Sequence, residues 1–184
     1  MNRAKVTSLG YIGSMPGHRD SNSWFTPIEF IEKSRLVLGG IDLDPFSSEH
    51  ANKTVGATKY FSEADSAFDK DWCTLGKVTV WMNPPYGRGL MSKAAEKFLQ
   101  EFYAGHISRG IVLVNNASET QWCQSLLEAC TSICMVNKRI EFYNVDGKSI
   151  SGNTRGQFFL YFDTRSQAKQ FEEVFKSIGK VFSK

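Results

Sequence analysis

Asn83, Pro84, Pro85 and Tyr86 follow an apolar run that begins at Val78, and these residue types in this order define a chemistry. In an open α/β sheet, ligands sit beyond the carboxyl ends of the strands, so a strand ending here presents all four residues to a cleft. Neither proline has an N–H and each holds φ nearly constant, which makes a stiff turn whose carbonyls point outward. The Asn83 side-chain oxygen and the Pro84 carbonyl can together accept both hydrogens of a planar –NH2 group, and Tyr86 offers a π face to an aromatic ring. The amino group of adenine is such a group. It is a poor nucleophile, because its lone pair is delocalised into the ring. Two acceptors localise the pair and stabilise the positive charge that grows on nitrogen as it attacks a carbon electrophile, with no general base strictly required. As structure alone, the four residues are a Pro-Pro turn closing a strand, and chance would place them in on the order of one in a thousand chains of this length.

The elements that must hold this turn follow from periodicity. Downstream, Met91, Ala94, Ala95, Phe98 and Phe102 recur at helical spacing and predict a helix over about 89–103, closed by Gly105. Residues 110–114 form an apolar strand with Asn115 and Asn116 at its carboxyl end. Ser118 with Gln121 predicts a capping box for a helix through about Ala129, and 132–136 is a further strand. Residues 138–142 open a strand, Asp146-Gly147 marks a turn and 157–162 is apolar, which together predict an antiparallel hairpin with a long loop. Thr164 and Gln167 are expected to cap a last helix with Phe171, Val174, Phe175 and Ile178 on one stripe. Upstream, Thr26 as N-cap and Pro27 at the first helical position predict a helix to about Leu38, stopped by Gly39-Gly40. Residues 41–44 make a short first strand. Only 33 residues separate Asp44 from Val78, while two βα units need about twenty-five to thirty residues each, so this side of the sheet is expected to be trimmed. Strand and helix alternate through the rest, which predicts an α/β fold, doubly wound around a largely parallel sheet.

The chain has 184 residues, 41% hydrophobic and 22% charged, which fits one soluble globular domain over 24–184. No apolar run approaches membrane-spanning length and the N-terminus lacks a signal peptide's apolar core, so a cytoplasmic protein without a membrane partner is expected. Residues 1–23 contain Gly10, Gly13, Pro16 and Gly17 and are expected to form a mobile arm, whose Arg3, Lys5 and Arg19 could touch phosphate. Cys73, Cys123, Cys130 and Cys134 form no CxxC pair and have no histidine cluster beside them. Free thiols and no metal are expected. A net charge of +3 is compatible with nucleic acid without demanding it.

The ordered set Trp24-Phe25-Thr26-Pro27, Asp42-Leu43-Asp44-Pro45-Phe46, Asp71-Trp72 and Asn83-Pro84-Pro85-Tyr86 resembles the phage-type DNA N6-adenine methyltransferase family, relatives of Dam. The resemblance runs from about Trp24 to about Phe162. The tetrad alone would indicate the superfamily of amino methyltransferases; the ordered set indicates the narrower family. It implies a trimmed Rossmann-like methyltransferase fold with a C-terminal antiparallel hairpin and S-adenosyl-L-methionine as cofactor, with no metal. It also implies transfer to adenine N6 in DNA, with the base flipped out of the duplex. A phage or prophage origin, acting in a bacterial cell, is implied as well.

Carried onto this chain, Asn83, Pro84, Pro85 and Tyr86 are the catalytic residues. Trp24, Thr26 and Pro27 lie against the methionine end of the cofactor, and Asp44, Pro45, Phe46 and Asn83 contact it as well. Asp65 and Ser66 are candidates for its adenosine half, the alternative being a solvated acidic loop. The chain departs from the pattern at Ser47, Ser48 and Glu49, where related enzymes continue into glycines, and the details of cofactor contact are expected to differ there. Arg139-Ile140-Glu141-Phe142 matches the family's Arg-Ile-x-Phe strand. Lys138, Arg139, Lys148 and Arg155 outweigh Glu141 and Asp146 in this region and, with Arg88 after Tyr86, are the DNA-contact candidates. A solvated hairpin tip is the alternative. Two other functions stay open: the same acceptors suit an RNA adenine or a protein glutamine amide, and the fold without cofactor binding suits a non-catalytic DNA-binding protein. With no room for a separate recognition domain, a relaxed site of about four base pairs is expected.

Overall fold

One sheet carries the chain. The computed structural model describes residues 24–73, 76–87, 89–144, 146–150, 153–165 and 167–184, so the expected arm at 1–23 and Arg88 lie outside the described residues. Its strands in chain order are β1 (Leu43–Asp44), β2 (Lys59–Tyr60), β3 (Val78–Met82), β4 (Ile107–Asn115), β5 (Ser132–Val136), β6 (Gln157–Asp163) and β7 (Gly179–Ser183). The helices are α1 (Ile28–Leu38), α2 (Glu49–Val55), α3 (Leu90–Tyr103), α4 (Gln121–Ala129) and α5 (Lys169–Phe175). Laterally the strands run β2-β1-β3-β4-β6-β5-β7. The first four are parallel neighbours. β6 enters antiparallel between β4 and β5, and β7 pairs antiparallel with β5 at the edge. The result is a Rossmann-like α/β fold with an antiparallel C-terminal part.

The central strands β3 and β6 are buried along their whole length and β4 along most of it, because both faces of the sheet are covered there. On β4, Val112 and Val114 join Met91, Ala95 and Phe98 of α3 and Leu126 of α4 in one core. Ile111 and Leu113 join Phe30 and Ile31 of α1 and Phe171 and Phe175 of α5 in the other. β6 alternates in the same way, with Phe158, Leu160 and Phe162 on the first face and Phe159 and Tyr161 on the second. Each such side chain removed from water is worth roughly 2 kcal/mol, so the sandwich is held chiefly from the β3, β4 and β6 centre. Gly110 allows α3 this close to the sheet, since a Cβ there would stand 2.8 Å from the Phe98 ring.

Several local expectations are corrected. Pro27, not Thr26, takes the N-cap position of α1 and no side chain caps that helix; Thr26 instead faces Asn83. The helix does stop at Gly39, in the left-handed conformation (φ 75°). Thr120 stands at the N-cap of α4, and its hydroxyl and Gln124 satisfy the Ala117 and Ser118 carbonyls, leaving no Ser118–Gln121 box. Residues 138–142 form no strand: the antiparallel pair is β5 with β6, and the described residues within 137–156 run as the loop between them. The last helix ends at Phe175 and has no side-chain cap; Thr164 points to the Ser108 carbonyl, and the chain turns back as β7. The 49–77 side is trimmed as expected, with two-residue strands β1 and β2 around the single-helix α2.

Candidate active site

β1 leads to β2 on one side, while β3, its neighbour on the other, leads to β4, so strand order reverses between β1 and β3. The loops leaving the two carboxyl ends diverge there, and an open α/β sheet binds ligands at such a point. A cavity of about 820 Å³ opens at this place. Asp44, Pro45, Phe46 and Ser47 line it from the end of β1, and Asn83, Pro84, Pro85 and Tyr86 from the end of β3. Trp24, Thr26, Ser66 and Arg155 complete the predicted residues on its wall. Pro27, Asp65, Lys138, Arg139 and Lys148 are not on the wall.

Asn83 Nδ2 donates to Thr26 Oγ1 at 3.2 Å. The opposite end of the amide, Oδ1, meets no donor among the described residues, and neither does the Pro84 carbonyl. The Tyr86 hydroxyl accepts the Asn115 N–H at 2.8 Å and donates to the Leu113 carbonyl at 3.4 Å, which pins the ring to the end of β4. Burial of that hydroxyl pushes its pKa above the ordinary tyrosine range, so it stays a neutral donor while the ring lines the cavity. Two unused acceptors and an aromatic ring thus share one wall.

Asp44 is 3% exposed, and burial raises its carboxyl to about 7, opposed by the nearby Ser47 hydroxyl and the Phe46 N–H at 3.2 Å. The Ser47 Oγ is itself buried and meets no partner in good hydrogen-bonding geometry. Beside them Phe46 packs on Phe68 at 5.2 Å between centroids. Asp65 turns away: its carboxylate takes the Ser62 hydroxyl at 2.7 Å and the Ser62 N–H at 2.9 Å, which hold it below the usual carboxylate range. Ser66 adopts positive φ (53°) and donates to Asp69.

The opposite wall is built by the loop between β5 and β6. Phe25 and Tyr143 exchange backbone bonds of 2.7 and 3.0 Å, joining the segment ahead of α1 to this loop. Trp24 packs on Phe142 at 5.8 Å, and Phe25 on His50 of α2 at 4.7 Å. Asn115, Phe142, Asn153 and Thr154 line the cavity without having been singled out as site residues. Asn115 stands at the end of an apolar strand, which was a usable signal; the other three depend on loop placement that no periodicity encodes. Lys138, Arg139, Lys148 and Arg155 are all exposed. Among the described residues one group of candidate metal ligands occurs, Asp71, Glu101 and His106, away from the cavity. Its buried member, Glu101, is already bonded to Lys97 at 2.6 Å and to His106 at 2.7 Å.

A sheet whose order reverses between β1 and β3, with both strand ends on one cavity and antiparallel strands at its C-terminal side, is consistent with the Rossmann-like methyltransferase class. The sequence profile of the family described as DNA N-6-adenine-methyltransferase (Dam) matches residues 14–180, and the chain belongs to that family. No curated protein matches it. The activity of the family is methylation of adenine N6 in DNA. Among the described residues no helix is long and apolar enough to cross a membrane.

Proposed function

We propose that the protein methylates adenine N6 in DNA using S-adenosyl-L-methionine, with the target base turned out of the duplex and stacked on Tyr86. The observation that carries this reading is the pairing of Asn83 Oδ1 with the Pro84 carbonyl, two acceptors unused by the described residues on the wall of a cavity at the strand-order reversal. The cavity volume lies within the upper part of the range of small-molecule sites, enough for a cofactor and a base together.

The residues at the β1 end fit such a cofactor. Asp44 offers a carboxylate to an ammonium group, the unpartnered Ser47 Oγ offers a hydroxyl, and Phe46 with Phe68 gives an apolar wall for a purine. When bound, the cofactor would supply a methyl carbon on a positively charged sulfur, and the neutral thioether released as the C–S bond breaks is a leaving group that needs no acid assistance. Asn83 Oδ1 and the Pro84 carbonyl accept the two N6 hydrogens. Both bonds strengthen as N6 gains positive charge, so they favour the transition state over the ground state. The surplus N6 proton then passes to water. Arg155 at the cavity wall, with the exposed Lys138, Arg139 and Lys148, is assigned to the phosphates, and Arg88 is the further candidate.

Asn83→Ala is expected to lower methyl transfer by at least about a hundredfold, while calorimetry finds cofactor affinity within a few-fold of wild type. Wild-type turnover in that variant would refute the mechanism. Labelled methyl donor offered with DNA, RNA and protein substrates tests the acceptor: incorporation outside DNA overturns the substrate assignment.

A further inference from the structure

Gln157 opens β6 and is 2% exposed, so its side-chain amide has no recourse to bulk water. Nε2 lies within bonding distance of the Arg155 carbonyl (2.9 Å), Asn115 Oδ1 (3.1 Å) and Asn153 Oδ1 (3.3 Å). Oε1 faces the Ile140 N–H at 3.5 Å. Acceptors crowd one end of the amide and a donor meets the other, so its orientation is fixed. Around it, Asn153 Nδ2 donates to the Ile140 carbonyl at 3.0 Å, and the Asn116 N–H to the Gly156 carbonyl at 2.7 Å. One side chain therefore ties the start of the 137–156 loop, its end, and the carboxyl end of β4. That end of β4 also holds Tyr86, through the Asn115 N–H. Residues 138–142 have no strand ladder, and these bonds take over its task of fixing the backbone.

We propose that Gln157 is a positioning residue that sets where segment 153–155, and with it the Arg155 guanidinium, stands beside the Tyr86 platform, so that the DNA backbone and the target base are held in register. The inference rests on the reading of Arg155 as a phosphate contact. Arg155 and Asn153 both line the cavity, and they reach it only as far as their backbone is held.

The test is a double-mutant cycle on the full-length enzyme, with KM for duplex DNA, kcat and cofactor affinity measured for each protein. Gln157→Met, similar in length but without donors, is expected to raise KM for DNA about tenfold with kcat and cofactor affinity little changed. Arg155→Ala is expected to raise KM comparably and to reduce the salt dependence of binding by about one phosphate contact. Combined, the two changes should cost no more than either alone. Additive effects would overturn the inference, and so would an equal loss of cofactor affinity. Should Gln157→Met not fold, Asn153→Ala removes the tether from the loop side and must show the same non-additivity with Arg155→Ala. An Arg155→Ala enzyme with wild-type KM also overturns the inference, since Gln157 would have nothing to place. That result would leave the methyl-transfer reading, which depends on Asn83, standing.

Discussion

The two ends of an asparagine amide are nearly the same in shape and opposite in hydrogen-bonding character, so a site that needs the oxygen must control which end faces inward. Thr26 Oγ1 meets Asn83 Nδ2, and Thr26 is well held: it is 8% exposed, its neighbour Phe25 is bridged to Tyr143 on both sides, and Pro27 restricts the next φ. Losing that partner leaves an amide hydrogen unpaired at a part-buried position on the cavity wall. Thr26→Val should therefore slow single-turnover methylation by about tenfold, while Thr26→Ser recovers it; equal rates in all three proteins would show that Asn83 needs no anchor. Tyr86 divides its work between ring and hydroxyl. Tyr86→Phe keeps the ring but strands the Asn115 N–H, so it is expected to cost about 1–2 kcal/mol in urea unfolding and to spare most of the activity. Tyr86→Ala should remove the activity as well. The place of the tetrad at a strand end on the cavity was legible from sequence because an apolar run leads straight into four consecutive residues. The Thr26 contact was not: residues 57 apart meet only through the fold, and Thr-Pro read locally is a helix start.

Elements buried on both faces announced themselves, and elements held only by backbone bonds did not. β3, β4 and β6 read as apolar runs because their alternate side chains enter two cores. Residues 138–142 alternate just as convincingly, with Ile140 and Phe142 buried and Arg139 and Glu141 exposed, yet they pair with no strand. Their alternation records burial against the sheet end, and the amide of Gln157 supplies what a ladder would have. β7 fails in the opposite sense. It pairs along its length with β5, but its side chains are mostly exposed and carry no apolar period. Its entry point depends on Gly179, where an added Cβ would lie 2.2 Å from the Met135 carbonyl oxygen and 2.9 Å from Cys134 Sγ. Gly179→Ala is thus expected to destabilise the protein by about 1–3 kcal/mol, read as a lower urea midpoint. An unchanged midpoint would mean that β7 shifts freely along β5.

At the scale of the whole molecule, the sheet order brings the ends of β1 and β3 together, and the site inherits a buried acid whose cost is borne by the entire fold. The Asp44 carboxyl, raised by burial to about 7 from an ordinary 3.8, binds its proton more tightly folded than unfolded. Between those two values the native state holds more protons than the unfolded chain, so stability falls as pH rises and the loss is complete above about 7. Its size is on the order of a few kcal/mol. Asp44→Asn keeps an acceptor for the Phe46 N–H and removes the titration, so its urea midpoint should exceed wild type at pH 8 and approach it at pH 5. Curves that stay parallel across this range would show that Asp44 is not the source. A ligand ammonium placed against the ionised carboxylate would offset the same penalty. Cofactor is therefore expected to stabilise wild type more at pH 8 than at pH 5, and to lose that pH dependence in Asp44→Asn. Equal stabilisation of both proteins at both pH values would move the ammonium site away from the end of β1.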